Sequence, residues 1–169
     1  FWLKDLCEIS LPLAMTALNY ARLAASTGMG LVYAKLGWDK IQGTDFERRG
    51  YQRLELPLWF MRFNGMWQLS TGVLLCIPPL RPLGVFGSAA SVGGVTVALL
   101  ERETAPMDSP GFQIPLGMNT TLGLVTLALS PGFVPMAAGL AAGSVGLYQL
   151  EATPQAVRDV FAEPVGLAE

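Results

Sequence analysis

The sequence predicts an all-α integral membrane fold: an antiparallel bundle of four transmembrane helices, with a short fifth as an alternative. Three observations predict it. Charged residues make up 14% of the 169, against about 25% in an ordinary soluble domain. Apolar residues reach 51%, and the mean hydropathy is positive. The third observation is pattern: long apolar runs stop abruptly at basic, tryptophan or proline residues, as in "GMGLVYAKLGWDKIQG" over residues 28–43. A soluble chain of this length needs a charged surface, and too few charges are present to build one.

Composition also excludes several functions. A net charge of −2 offers no basic patch, so no nucleic-acid partner is expected. The chain has no histidine, which removes the commonest metal ligand and the usual general base near neutral pH. Cys7 and Cys76 form neither a C-x-x-C nor a zinc pattern. Cys76, in an apolar run, reads as a small buried hydrophobe. No metal site and no catalytic residue are expected. The chain opens on Phe1, which reads either as the product of a removed targeting peptide or as a beginning that lies further upstream.

Residues 1–19 read as an interfacial lead-in. "FWLKDLCEISLPL" sets Trp2, Leu3, Leu6 and Leu13 near one helical face, with Pro12 interrupting. The bundle proper is expected over residues 20–150. Its first span is 20–38. Arg22 and Lys40 would stand about 27 Å apart along the helix axis, close to the thickness of the hydrocarbon layer. Arg22, Lys35 and Lys40 therefore read as interface anchors whose stems lie along apolar surface, and Trp38 as the aromatic marker at the same level.

The second span is 58–80, entered by Trp59 and Arg62 as anchors and stopped by Pro78-Pro79. Asn64, Gln68 and Thr71 share one helical face, with Gly65 and Gly72 close to it. Polar groups are costly in lipid, so this face should look toward protein or a cavity. Interhelical hydrogen bonding is the plainer explanation; a quinone headgroup or pigment pocket is the sharper one. The third span, 82–100, carries the small-residue pairs Gly84/Ser88 and Gly87/Ser91, which let backbones approach closely. The fourth, 115–133, places Asn119, Gly123, Thr126 and Ser130 on one side. Residues 115–150 in one helix would reach about 54 Å, too long for one crossing. Pro131 and Pro135 should divide it, leaving 134–150, with Gly139 and Gly143 as a G-x-x-x-G pair, either as a fifth short span or as a helix lying on its neighbours. The tail 151–169 is polar and should wrap the surface or dock on a partner.

Seven basic residues (Lys35, Lys40, Arg48, Arg49, Arg53, Arg62 and Arg102) flank the connections after the first and third spans. With four spans, Lys4, Arg22, Arg81 and Arg158 fall on the other side. The positive-inside rule then puts residues 38–57 on the cytoplasmic side or its stromal or matrix equivalent.

Three stretches resemble the DoxX-like membrane family. "ARLAASTGMGLVYAKLGWDK" is similar to its first helix, opened by an arginine and closed by a lysine, here Lys40. "GMWQLSTG" keeps the two glycines of its second helix, Gly65 and Gly72, with Gln68 where the family carries an acid. "MNTTLGLVTLALSPG" is similar to its last helix. The resemblance covers about residues 20–133 and implies a four-helix module. It also implies an association with thiosulfate–quinone oxidoreduction and with membrane complexes that handle redox stress. Gln68 departs from the pattern and cannot act as a carboxylate base.

Two functional readings follow. The first is a non-catalytic accessory subunit of a photosystem or respiratory complex, its partners being other membrane subunits and lipids. Chlorophyll, carotenoid, quinone or structural lipid could fill its gaps. Without histidine, a chlorophyll magnesium would take Gln68, Asn119, Glu101 or water as its oxygen ligand. The second is a DoxX-like component of a quinone-linked oxidoreductase, with the headgroup near Asn64, Gln68, Thr71 and Asn119. An energy-transducing membrane is expected in either case, the thylakoid ahead of the inner mitochondrial or bacterial plasma membrane. A transporter has little support, because no ionisable residue lies mid-span.

Overall fold

The computed structural model describes residues 2–130 and 132–162, with side chains from residue 16 onward except at position 111. All regular structure among them is helical. The order is α1 (Trp2–Gln42), α2 (Asp45–Arg53), α3 (Leu58–Cys76), a 3-10 turn (Pro78–Leu80), α4 (Arg81–Glu101), α5 (Pro110–Leu129), α6 (Phe133–Tyr148) and α7 (Gln155–Val160).

Proline sets most of the helix ends, but not all. Ile77 takes an extended conformation (φ −100°, ψ 110°), as a residue before proline tends to. The second expected span therefore stops at Cys76, and Pro78–Leu80 form a separate turn. α5 begins at Pro110, five residues before the expected start, because a first-turn proline loses no helical hydrogen bond. Pro115 then sits inside the helix. Ser130 is extended and ends it. Pro12 does not interrupt anything: α1 runs unbroken from Trp2, so the expected lead-in and first span are one helix. A single proline removes only one backbone bond, and the turns on either side carry the helix past it.

Two of these helical stretches, Pro78–Glu101 and Phe112–Leu129, are long and apolar enough to cross a membrane; Phe133–Tyr148 is apolar but shorter.

Consecutive long helices run in alternating directions. α1 meets α3 through two glycine pairs. A Cβ on Gly37 would stand 2.5 Å from the Gly65 carbonyl oxygen, and one on Gly72 would stand 2.5 Å from that of Gly30. The pairs are seven residues apart on each helix, so one antiparallel seam repeats every two turns. α4 and α6 run parallel and equally close: Gly139 lies against Phe86 and Ala89, Gly143 against the Ala90 backbone, and Gly93 against Leu140. Gly84 and Gly87 admit Leu75 and Thr71 of α3. Gly123 makes only an ordinary 3.4 Å contact with Val92. Ser91 bonds back to Gly87 within its own helix, so it packs no neighbour through its hydroxyl.

One end of the bundle is capped by the chain itself. Tyr51, Leu56, Met61, Ala98, Leu147 and Leu150 form a core there, with Trp59 and Phe60 packed on it. α7 reaches the same end, where Phe161 meets Phe63 edge-on at 5.4 Å. Arg158 therefore belongs with the seven basic residues of that end and not with Arg22 and Arg81. α6 makes an additional traverse, which reverses the side expected from four spans. Of the expected tail, residues 163–169 lie outside the described residues.

Candidate functional site

The inward faces of the helices carry a ladder of polar side chains. At the capped end, Lys40 is only 8% exposed, and its Nζ sits 3.0 Å from Glu47 Oε1 on α2. Lys40 is thus not an exposed interface anchor. The bare Gly65 backbone makes room for the Lys40 stem against α3, and a buried ammonium needs a partner, which Glu47 supplies. Of the other expected anchors, Arg22 and Trp38 are exposed, and Lys35 is exposed but paired with Asp39. Trp59 is half-buried on the cap core, and Arg62 donates to the Ala162 carbonyl at 3.2 Å.

Beside the Lys40–Glu47 pair, Asn64 Nδ2 donates to the Tyr51 hydroxyl at 2.6 Å. Burial pushes the Tyr51 phenol well above its ordinary range, the Asn64 hydrogen bond partly offsets this, and nearby Glu47 adds to it. One turn deeper, Gln68 is 5% exposed, and its Oε1 has no hydrogen-bond partner among the described residues. Thr71 is buried against Gly87.

A second polar node lies between α1, α4 and α5. Ser88 Oγ donates to the Tyr33 hydroxyl at 2.9 Å, which in turn donates to the Ser88 carbonyl at 3.3 Å. Ser88 Oγ also lies 2.6 Å from Thr126 Oγ1. Further along α5, Asn119 Nδ2 donates to Thr96 Oγ1 at 2.8 Å and to the Val92 carbonyl at 3.2 Å. The four expected site residues are therefore split. Asn64, Gln68 and Thr71 line α3, whereas Asn119 ties α5 to α4 and shares no hydrogen-bond partner with them.

A cavity of about 300 Å³ is lined by Leu58, Trp59, Met61, Arg62, Phe161 and Ala162. None of the four expected site residues lines it. Among the described residues, no group of three histidine, cysteine or acidic side chains converges as metal ligands would. The arrangement is chemically a set of hydrogen-bond clasps, with one buried ion pair and one unpartnered amide oxygen.

Sequence reading missed Tyr33, Glu47 and Tyr51, and with them Gly30, Gly37 and Gly93. The signal for part of this set was present. Ser26, Gly30, Tyr33, Gly37 and Lys40 recur at spacings of four and three, the same stripe that Gly65, Gln68 and Gly72 make on α3. No protein-family model matches this chain, and no curated protein or solved structure is found similar to it.

Proposed function

We propose that this chain is an integral membrane subunit with a structural, non-catalytic role in a larger complex of photosystem or respiratory type. In this reading α1, α3, α4, α5 and α6 cross the bilayer in alternating sense. The observation that carries it is a broad apolar outer surface around an interior that also holds polar side chains. The interior holds Ser26, Gln68, Thr71, Ser88, Asn119 and Thr126, whereas Leu31, Met66, Val73, Leu83, Leu124 and Val145 face outward. In water this exposes the apolar surface that folding should bury. In lipid, large apolar chains face acyl chains, and polar and small residues meet between helices.

The charges support the same reading. No charged residue occurs from 109 to 150. α3 ends at Cys76, beside Thr27 of α1, and Arg81 opens α4 at that end of the bundle, with Arg22 little more than one helical turn further along α1. Eight of the 11 basic residues lie at the capped end, which the positive-inside rule assigns to the cytoplasmic side or its equivalent. α5 has only 22% of its apolar window buried, and its outer face is open to lipid, pigment or a neighbouring helix. An energy-transducing membrane, the thylakoid first, remains our proposed location.

The test is native electrophoresis of gently solubilised membranes, with mass spectrometry and pigment absorbance of the band that holds this chain. Migration at fixed stoichiometry within a large complex is expected. Migration as a free monomer would contradict the accessory role.

One observation favours a second reading, a DoxX-like component of a quinone-linked oxidoreductase. Gln68 Oε1 is a buried acceptor without a donor, and a quinol hydroxyl would satisfy it. Quinone-dependent turnover abolished by Gln68→Leu, with insertion intact, would support that reading over the first.

A further inference from the structure

We propose that Gln68 and Thr71 together bind one buried water molecule, beside the contact of α3 with α4. The inference rests on the accessory reading above, in which no quinol reaches Gln68, and it names what satisfies that side chain instead.

Of the seven polar or charged residues buried among the described ones, five find partners within the chain. Lys40 has Glu47, and Ser88 and Thr126 have each other. Asn119 has Thr96, and Ser26 donates to the Leu23 carbonyl at 3.1 Å. The other two are Gln68 and Thr71, 5% and 2% exposed, and neither makes a hydrogen bond among the described residues. They stand three residues apart on one helix, so their side chains are neighbours. The two unsatisfied groups therefore form one site. Gln68 lies near the midpoint of α3, at least about 12 Å of helix from either end. In the membrane reading bulk water does not reach that depth, and a polar group left alone there is costly.

The local packing explains why α4 does not satisfy Thr71. Thr71 Oγ1 lies against the bare Cα of Gly87, where a Cβ would collide with it. The Gly87 carbonyl already accepts from Trp67 Nε1 and from Ser91 Oγ, each at 3.1 Å, which occupies both of its lone pairs. Thr71 is thus held beside an acceptor that is already taken. Size, charge and hydrogen bonding then choose the guest. An amide and a hydroxyl carry no charge, so nothing here recruits an ion. Gln68 Oε1 accepts, and Thr71 Oγ1 both donates and accepts. One water matches that pair, and buried waters in proteins make two to four such bonds. Enclosure beyond nine-tenths at both side chains favours a guest of this size over a quinone ring.

The experiment is water-edited solid-state NMR on the full chain, labelled at its glutamine side-chain nitrogens and reconstituted in bilayers after quinone has been extracted. The Gln68 signal is the one that Gln68→Leu removes. Magnetisation should pass from water to this amide. Thr71→Val should reduce the transfer several-fold, and Thr71→Ser should keep it. No transfer in the unmodified chain would overturn the water site and leave the accessory reading standing. Undiminished transfer in Thr71→Val would overturn the shared site. Loss of the water signal when ubiquinone is added back, with contact between its ring and the Gln68 amide, would overturn the proposal together with the accessory reading. Thermal unfolding in detergent gives a second readout. Because both residues hold the same water, Gln68→Leu/Thr71→Val should lower the midpoint no further than the more damaging single change. Additive losses would overturn the bridge.

Discussion

The α1–α3 seam and the α5 helix are held in opposite ways. Along α1–α3, glycine faces glycine twice, and backbone meets backbone with no side chain between. α4 and α6 repeat this in parallel. α5 has no such seam. It is tied to α4 by Asn119 and Thr126, by an ordinary van der Waals contact at Gly123, and by Leu129 in the cluster with Met29 and Tyr33. Where lipid weakens the hydrophobic drive between helices, close packing and hydrogen bonds are the two remaining means of association. The first fixes a helix to one partner at one distance. The second clasps a helix while leaving most of its surface free, which suits a helix that also faces lipid or a neighbour.

That difference can be broken at several points. The largest effect is expected from Gly143→Leu. Its side chain would enter the Ala90 backbone, and overpacking on this scale costs about 3 kcal/mol or more. Thermal unfolding in detergent should show the loss, and a near-wild-type midpoint would remove the α4–α6 seam from the account. Lys40→Ala comes next. It leaves Glu47 buried without its cation, a loss of about 3 kcal/mol that Lys40→Ala/Glu47→Leu should largely recover. No recovery would mean that the pair is not what holds α2 on the bundle.

Asn119→Leu should cost only about 1 kcal/mol and should leave insertion unchanged, since α5 keeps its other clasps. A loss as large as that of Gly143→Leu would erase the contrast between seam and clasp. The smallest effect concerns pH. The Tyr51 phenol is raised by burial, so its contribution to stability is fully present below the ordinary phenol pKa of about 10 and is lost as pH climbs through the higher folded value. Ultraviolet titration in detergent should show this phenolate forming only together with detachment of α2. A phenol that titrates normally in the folded protein would contradict its burial.

How much of this was legible in the sequence depends on the kind of contact. The helices themselves were readable from apolar runs and prolines, and the small-residue faces of α3, α4 and α6 from spacing alone. The partner of each face was not. Gly37 meets Gly65 because two helices 28 residues apart in the chain run antiparallel in one register, and nothing local encodes that register. Lys40 illustrates the same limit. A lysine at the end of an apolar run looks like an anchor, and only the fold of α2 back onto α1 places Glu47 beside it. Asn119 was rightly read as facing protein. Its hydrogen bonds go to α4 and not to the Gln68 stripe, and two polar stripes on different helices look alike until their neighbours are known. α5 was placed five residues too late because Pro115 reads as a helix start, yet Pro110 is the one that begins it.

The most direct test of the account is the sidedness of its two ends. Single cysteines at Phe46 on α2 and at Leu18 on α1, in a background lacking Cys7 and Cys76, would be exposed to an impermeant maleimide in sealed, uniformly oriented vesicles. The account predicts that each position is labelled from one side only and that the two sides are opposite, with Phe46 on the cytoplasmic or equivalent face. Labelling of both positions from the same side, or release of the chain by carbonate, would contradict the five-crossing membrane subunit proposed for this protein.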